Sequence, residues 1–129
     1  MGTREPVRVL VVDDEPLIRW FLAEMLSAHG DTVIEAGTGN AAMRAMRETM
    51  APIDVVLLDY RLPDVHDLSL LASVRRLRPD SRVIMMSAEL TPEAASEALS
   101  MGASRVIGKP VDMDEVEALV HEVAGLRPH

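Results

Sequence analysis

A doubly wound α/β fold around a five-stranded parallel sheet is predicted by three features of the chain. Strand-like and helix-like segments alternate five times, the pattern that gives a parallel sheet with helices on both faces. Val55-Val56-Leu57-Leu58 is apolar throughout, as a strand buried on both sides has to be. Asp13 and Asp14, Asp59, Ser87 and Lys109 directly follow the first, third, fourth and fifth strands, and the carboxyl ends of parallel strands share the edge where such sheets place ligands. Right-handed crossovers leave few topologies, among them the order 2-1-3-4-5, which sets strands one and three side by side at the switch point.

The first strand is Val7 to Val12, mostly β-branched, and it stops at Asp13-Asp14-Glu15-Pro16. Asp14 or Glu15 is a candidate helix cap, and Pro16 fits an early helical position. Leu17, Ile18, Phe21, Leu22, Met25 and Leu26 recur at helical spacing up to a carboxyl cap at Gly30. Thr32 to Glu35 is a second strand. The Gly37-Thr38-Gly39-Asn40 turn then starts a helix over roughly Ala41 to Met50, in which Met43, Met46 and Met50 read as core or edge packing. Gly37-x-Gly39 lacks a third glycine and follows the second strand, so it reads as a loop and not a phosphate cradle. After the central strand, Leu68, Leu70, Leu71, Val74 and Leu77 mark a third helix, and Pro79-Asp80-Ser81 a turn. Arg82 to Met86 is the fourth strand. Thr91-Pro92-Glu93 opens a fourth helix ending near Met101-Gly102, and Arg105 to Ile107 is a short fifth strand. Asp112 with Glu115 forms a capping box for a last helix to about Ala124, closed by Gly125. Residues 1–124 are expected to form one domain, with 125–129 a tail or the start of a linker.

Composition narrows the function classes. A formal net charge of -8 argues against direct nucleic acid binding, which draws on clustered Lys and Arg. The chain has no cysteine, so thiolate and disulfide chemistry are excluded. No apolar run approaches the roughly 20 residues of a membrane span, and the start shows no secretory signal pattern. A cytoplasmic location without membrane contact is therefore expected. Lys109 is the only lysine beside 12 arginines, which is either chance or a site needing a compact ammonium.

A lone Asp at a strand end commonly caps a turn, so Asp59 is weak evidence by itself. Together the strand-end residues form a constellation. Three carboxylates in one pocket repel unless some are protonated or a cation sits among them. Oxygen donors without His or Cys favour a hard ion, Mg2+ first and Mn2+ as a substitute. Lys109 supplies the opposite charge, Ser87 a hydroxyl donor, and Asp59 a carboxylate nucleophile toward a phosphoryl donor.

Asp13-Asp14-Glu15-Pro16, Leu57-Leu58-Asp59-Tyr60-Arg61-Leu62-Pro63-Asp64, Met86-Ser87-Ala88 and Lys109-Pro110 together resemble the receiver domain of bacterial two-component response regulators, from about Val7 to Ala124. The resemblance implies a flavodoxin-like fold and phosphoryl transfer to Asp59 from a histidine kinase or phosphotransfer protein. The domain would be a signalling switch, not an enzyme, with only self-phosphorylation and slow autodephosphorylation. It implies Asp14 and Asp59 as direct metal ligands, Asp13 as a ligand through water, and the Arg61 backbone carbonyl as a further ligand. Ser87 and Lys109 become the phosphoryl-sensing hydroxyl and amine, the Lys109-Pro110 bond is expected to be cis, and Arg61 and Glu89 occupy positions that tune phosphoryl lifetime. A homodimer through the fourth helix, fifth strand and last helix is allowed. Pro16-Leu17-Ile18-Arg19-Trp20 and the Asp59 stretch look most like receivers of enhancer-binding transcription regulators, which makes the chain either a standalone receiver or a piece ending at the linker.

Two residues depart from the family pattern. Val106 stands where an aromatic usually swings inward, and Asp67 where a glycine usually turns the chain into the third helix; Asp tolerates left-handed geometry better than most residues, so the loop is expected to survive with some strain. Three other readings compete. A degenerate receiver acting only through protein contacts is opposed by the intact acids, Ser87 and Lys109. A haloacid-dehalogenase-like phosphatase needs an acid two residues past its nucleophile, where this chain has Arg61. A flavodoxin would bind phosphate after the first strand, where Asp13-Asp14-Glu15 repels it.

Overall fold

The computed structural model describes residues 6–125; the expected tail from residue 126 onward lies outside them. The elements are β1 (Arg8–Val12), α1 (Pro16–Ala28), β2 (Thr32–Ala36), α2 (Gly39–Glu48), β3 (Val55–Asp59), α3 (Ser69–Leu77), β4 (Arg82–Ser87), α4 (Pro92–Ser100), β5 (Arg105–Gly108) and α5 (Met113–Ala124). All pairings are parallel, in the expected order β2-β1-β3-β4-β5. Among the described residues no helix is long and apolar enough to cross a membrane.

Pleating divides the core in two. Val9 and Val11, Val55 and Leu57, and Ile84 and Met86 pack with Leu22 and Leu26 of α1 and Val116, Val120 and Val123 of α5. The alternate residues Leu10 and Val12, Val56 and Leu58, and Val83 and Met85 pack with Met46 of α2, Leu71 and Val74 of α3, and Ala98 of α4. Period-two alternation thus feeds two cores at once, which explains the unbroken apolar run of β3. On α1, Leu17, Trp20 and Phe21 stay exposed, the two rings meeting edge to face at 5.1 Å.

Several local expectations are corrected. Neither Asp14 nor Glu15 caps α1 through its side chain: Glu15 holds the cap position without a side-chain bond, and its own N–H donates to Asp13 Oδ1 at 2.9 Å. Helix α2 starts at Gly39, not Ala41, because Thr38 Oγ1 accepts the Ala41 N–H. It ends at Glu48, where Thr49 turns extended, and Met50 is left 96% exposed instead of packed. Asp67 is not left-handed, since every positive φ among the described residues belongs to glycine, at Gly30 and Gly102. Its carboxylate instead accepts the Ser69 N–H at 2.9 Å and turns the chain into α3.

The carboxyl end of α2 is closed from a distance. Arg78, at the end of α3, donates to the carbonyls of Met46, Thr49 and Ala51. The Met46 carbonyl is one that a helix end cannot satisfy internally, Thr49 and Ala51 belong to the chain just past that end, and a cation there also suits the helix dipole. Arg78→Ala is expected to cost about 2 kcal/mol of unfolding free energy, the scale of charged hydrogen bonds lost together, measured as a lower urea midpoint.

Candidate functional site

The predicted residues meet at the carboxyl edge of the sheet. β1 and β3 are neighbours, with Val12 paired to Leu58, so Asp13 and Asp59 emerge side by side. Asp59 is on β3 in the pleat of Val55 and Leu57 and is buried, as is Asp13, whereas Asp14 is exposed. Ligand oxygens of Asp13, Asp14 and Asp59 all lie within 4.8 Å of one another.

Lys109 crosses from the end of β5 into this group. Its Nζ donates to Asp13 Oδ2 at 2.8 Å, Asp59 Oδ2 at 3.0 Å and Glu15 Oε1 at 3.2 Å. Its backbone N–H donates to the Ser87 carbonyl at 2.8 Å; the Lys109-Pro110 peptide is cis, as expected. Burial pulls the Lys109 pKa down, but hydrogen bonds to Asp13 and Asp59 and their charges outweigh it and hold the amine above the ordinary lysine range. Burial pushes the Asp59 carboxyl up; the hydrogen bond and charge of Lys109 only partly offset this, and the Asp13 charge adds to it. The chain has thus withdrawn two carboxylates from water against one ammonium.

Ser87 ends β4 and is buried, and its Oγ accepts the Glu89 N–H at 3.2 Å. The hydroxyl proton remains to be donated to a ligand. Arg61 and Glu89 face each other across the mouth, Nη2 to Oε1 at 3.0 Å, both largely exposed. Such a pair contributes about 0–1 kcal/mol, so it can open without hindrance. A surface depression lined by Asp14, Asp59, Tyr60, Arg61, Ala88 and Lys109 gives access from solvent. Arg61 points its N–H toward Asp59 Oδ1 at 3.4 Å, a long contact. Val106 is half-buried against the core on the α2, α3 and α4 side.

Sequence reasoning missed two contributors. Glu15 reads as a helix-start residue, yet it carries the third contact to Lys109. Asp64 reads as a loop acid, yet it binds Gly39 and Asn40, 25 and 24 residues away, a separation that no local pattern signals.

The donor set is oxygen only, clustered and reachable, which fits a hard divalent cation and no soft one. The Asp59 carboxylate and the Lys109 ammonium line one opening, and Ser87 ends the neighbouring β4; a carboxylate, an ammonium and a hydroxyl are the kinds of group that can receive a phosphoryl group.

Comparison with known proteins agrees. A family model described as the response regulator receiver domain matches residues 9–121. The DNA-binding transcriptional regulator NtrC of Salmonella typhimurium is 38% identical over 112 residues, 87% of this chain and 24% of that protein. The transcriptional regulatory protein KdpE of Mycobacterium tuberculosis is 41% identical over 107 residues, 83% of this chain and 46% of that protein. The chain therefore spans less than half the length of either. A crystal structure of a CheY-like receiver domain protein from Methanospirillum hungatei superposes with TM-score 0.87 at 26% identity, covering 94% of this chain and 95% of that one. On the family match, the sheet order and the sequence identity to NtrC and KdpE, the chain belongs to the response regulator receiver domain family.

Proposed function

We propose that Asp59 is the phosphoacceptor of this receiver domain, taking its phosphoryl group from the phosphohistidine of a histidine kinase or phosphotransfer protein. The observation that carries this is the Lys109 ammonium held between the buried carboxylates of Asp13 and Asp59, 2.8 and 3.0 Å away. An Asp59 carboxylate oxygen attacks phosphorus, the bond from phosphorus to the donor nitrogen breaks, and the electron pair leaves with the imidazole. The product is an acyl phosphate on Asp59. Attack of water on phosphorus later restores the carboxylate and releases inorganic phosphate, so the domain modifies itself and turns over no metabolite.

Asp14 and Asp59 would hold Mg2+ directly, Asp13 through water and Arg61 through its carbonyl; Mn2+ suits the same donors. Bound there, the cation neutralises charge developing on the phosphoryl oxygens. Lys109 exchanges Asp59 Oδ2 for a phosphoryl oxygen, and Ser87 Oγ donates to another. The Ser87 hydroxyl then draws on Glu89, whose N–H it accepts, and the weak Arg61 pair of Glu89 yields. With Val106 in place of an aromatic ring, we assign the outward signal to this β4 to α4 loop and the adjoining α4, β5 and α5 surface, where a homodimer or an output partner would read it. The receiver domain is assigned to residues 1–124, with the remainder a tail or linker, in a cytoplasmic setting.

Incubation with Mg2+ and acetyl phosphate, followed by intact mass, tests the reading. The native chain should gain one phosphoryl group, and chelation of Mg2+ should prevent the gain. No added mass under conditions where the protein is folded overturns it.

A further inference from the structure

Two segments distant in sequence meet behind the phosphoacceptor loop. Asp64 accepts the Gly39 N–H on Oδ1 at 2.8 Å and the Asn40 N–H on Oδ2 at 2.9 Å. Both donors belong to the first turn of α2, where helix N–H groups have no internal partner and negative charge is favoured. Thr38 already caps this helix locally through the Ala41 N–H, so α2 has a local cap beside the distant carboxylate, which takes two further donors. The same two bonds tie down the loop. Although Asp64 is exposed, the Gly39 and Asn40 N–H groups hold its carboxyl below the usual range.

The approach is close enough that any side chain at position 39 would force Val65 or Asp64 to shift. A Cβ there would lie 2.6 Å from Val65 Cγ2 and 3.2 Å from Asp64 Oδ1. The loop is also closed on itself: the Leu62 N–H donates to the Val65 carbonyl at 2.9 Å, the Val65 N–H returns to the Leu62 carbonyl at 3.3 Å, and Leu62 is buried. One end of the loop is thus fixed by Asp59 on β3, the other by Asp64 on α2. Arg61 lies between.

We propose that Asp64 is a positioning residue of the metal site, locking the 60–65 loop against α2 so that the Arg61 carbonyl is held where a divalent cation requires it. This rests on the reading of the Arg61 carbonyl as a ligand given above. Mg2+ demands near-ideal octahedral geometry, so a loop free to shift loses that ligand first.

The test uses the whole chain with Asp64→Ala, Gly39→Ala, the two combined, and Thr38→Ala as a control that removes the local cap of the same helix without touching the loop. Two quantities are read: Mg2+ affinity by calorimetric titration, and amide exchange of Leu62 and Val65 in metal-free protein, with β3 amides reporting that each variant is folded. Asp64→Ala should speed Leu62 and Val65 exchange and weaken Mg2+ binding about tenfold, the low end of the cost of removing a group behind a metal ligand. Gly39→Ala should do the same from the other side, the combined variant should be no worse than either, and Thr38→Ala should keep native values for both. Asp64→Asn, with one acceptor oxygen left, should recover part of the affinity. Native Mg2+ affinity in Asp64→Ala, or an equal loss in Thr38→Ala, overturns the proposal alone. A native chain that binds no Mg2+ overturns the metal reading and the proposal with it.

Discussion

Lys109→Met is expected to destabilise the metal-free domain by about 3–5 kcal/mol, the usual cost of removing one partner from a buried ion pair. Methionine keeps much of the stem volume but leaves Asp13 and Asp59, exposed by 0% and 7%, facing each other without a counter-charge. Two consequences separate this from a packing effect. Added Mg2+ should recover most of the loss, because a divalent cation among the same oxygens replaces the missing ammonium. Lowering the pH should also shrink the loss, because protonation removes the repulsion. In the native chain the sign is opposite at the alkaline end. The Lys109 pKa is raised on folding, so its contribution is complete below the ordinary lysine pKa of 10.5 and is lost as pH rises through the higher folded value. Urea midpoints with and without Mg2+ measure all three, and an unchanged midpoint in metal-free Lys109→Met would sink the idea that the ammonium holds the acids together.

Asp59→Asn should abolish phosphoryl uptake from acetyl phosphate, with no added mass where the native chain gains one group. The same substitution should raise stability at neutral pH. Burial lifts the Asp59 pKa above 3.8, so its ionised form opposes folding, and the native chain gains stability as pH falls through the raised value. Asparagine removes the cost at neutral pH and with it that gain. A lower melting temperature at neutral pH for Asp59→Asn would refute the electrostatic account. Residual uptake of one phosphoryl group would move the acceptor to another residue.

What could be read from the sequence follows the range of the physics involved. Strand periodicity and strand ends are local, so β3, its stop at Asp59 and the edge shared with Asp13, Ser87 and Lys109 are legible from residue order alone. Parallel pairing then brings these residues together without further information. Contacts that join distant segments leave no such trace. Nothing near Arg78 announces that it closes α2 across 27 to 32 residues, and nothing near Met50 announces that the helix stops short of it. Asp67 shows a subtler failure: a position usually given to glycine suggests a left-handed backbone, whereas a carboxylate accepting the Ser69 N–H makes the turn in ordinary geometry.

The edge-to-face pair on α1 has a practical bearing on these measurements. Trp20 is the single tryptophan of the chain, and half of its surface is in contact with water in the native state. Its emission therefore starts near that of an unfolded chain, and denaturation moves it little. Far-ultraviolet circular dichroism, which follows the ten regular elements themselves, is the better optical probe for ranking the variants.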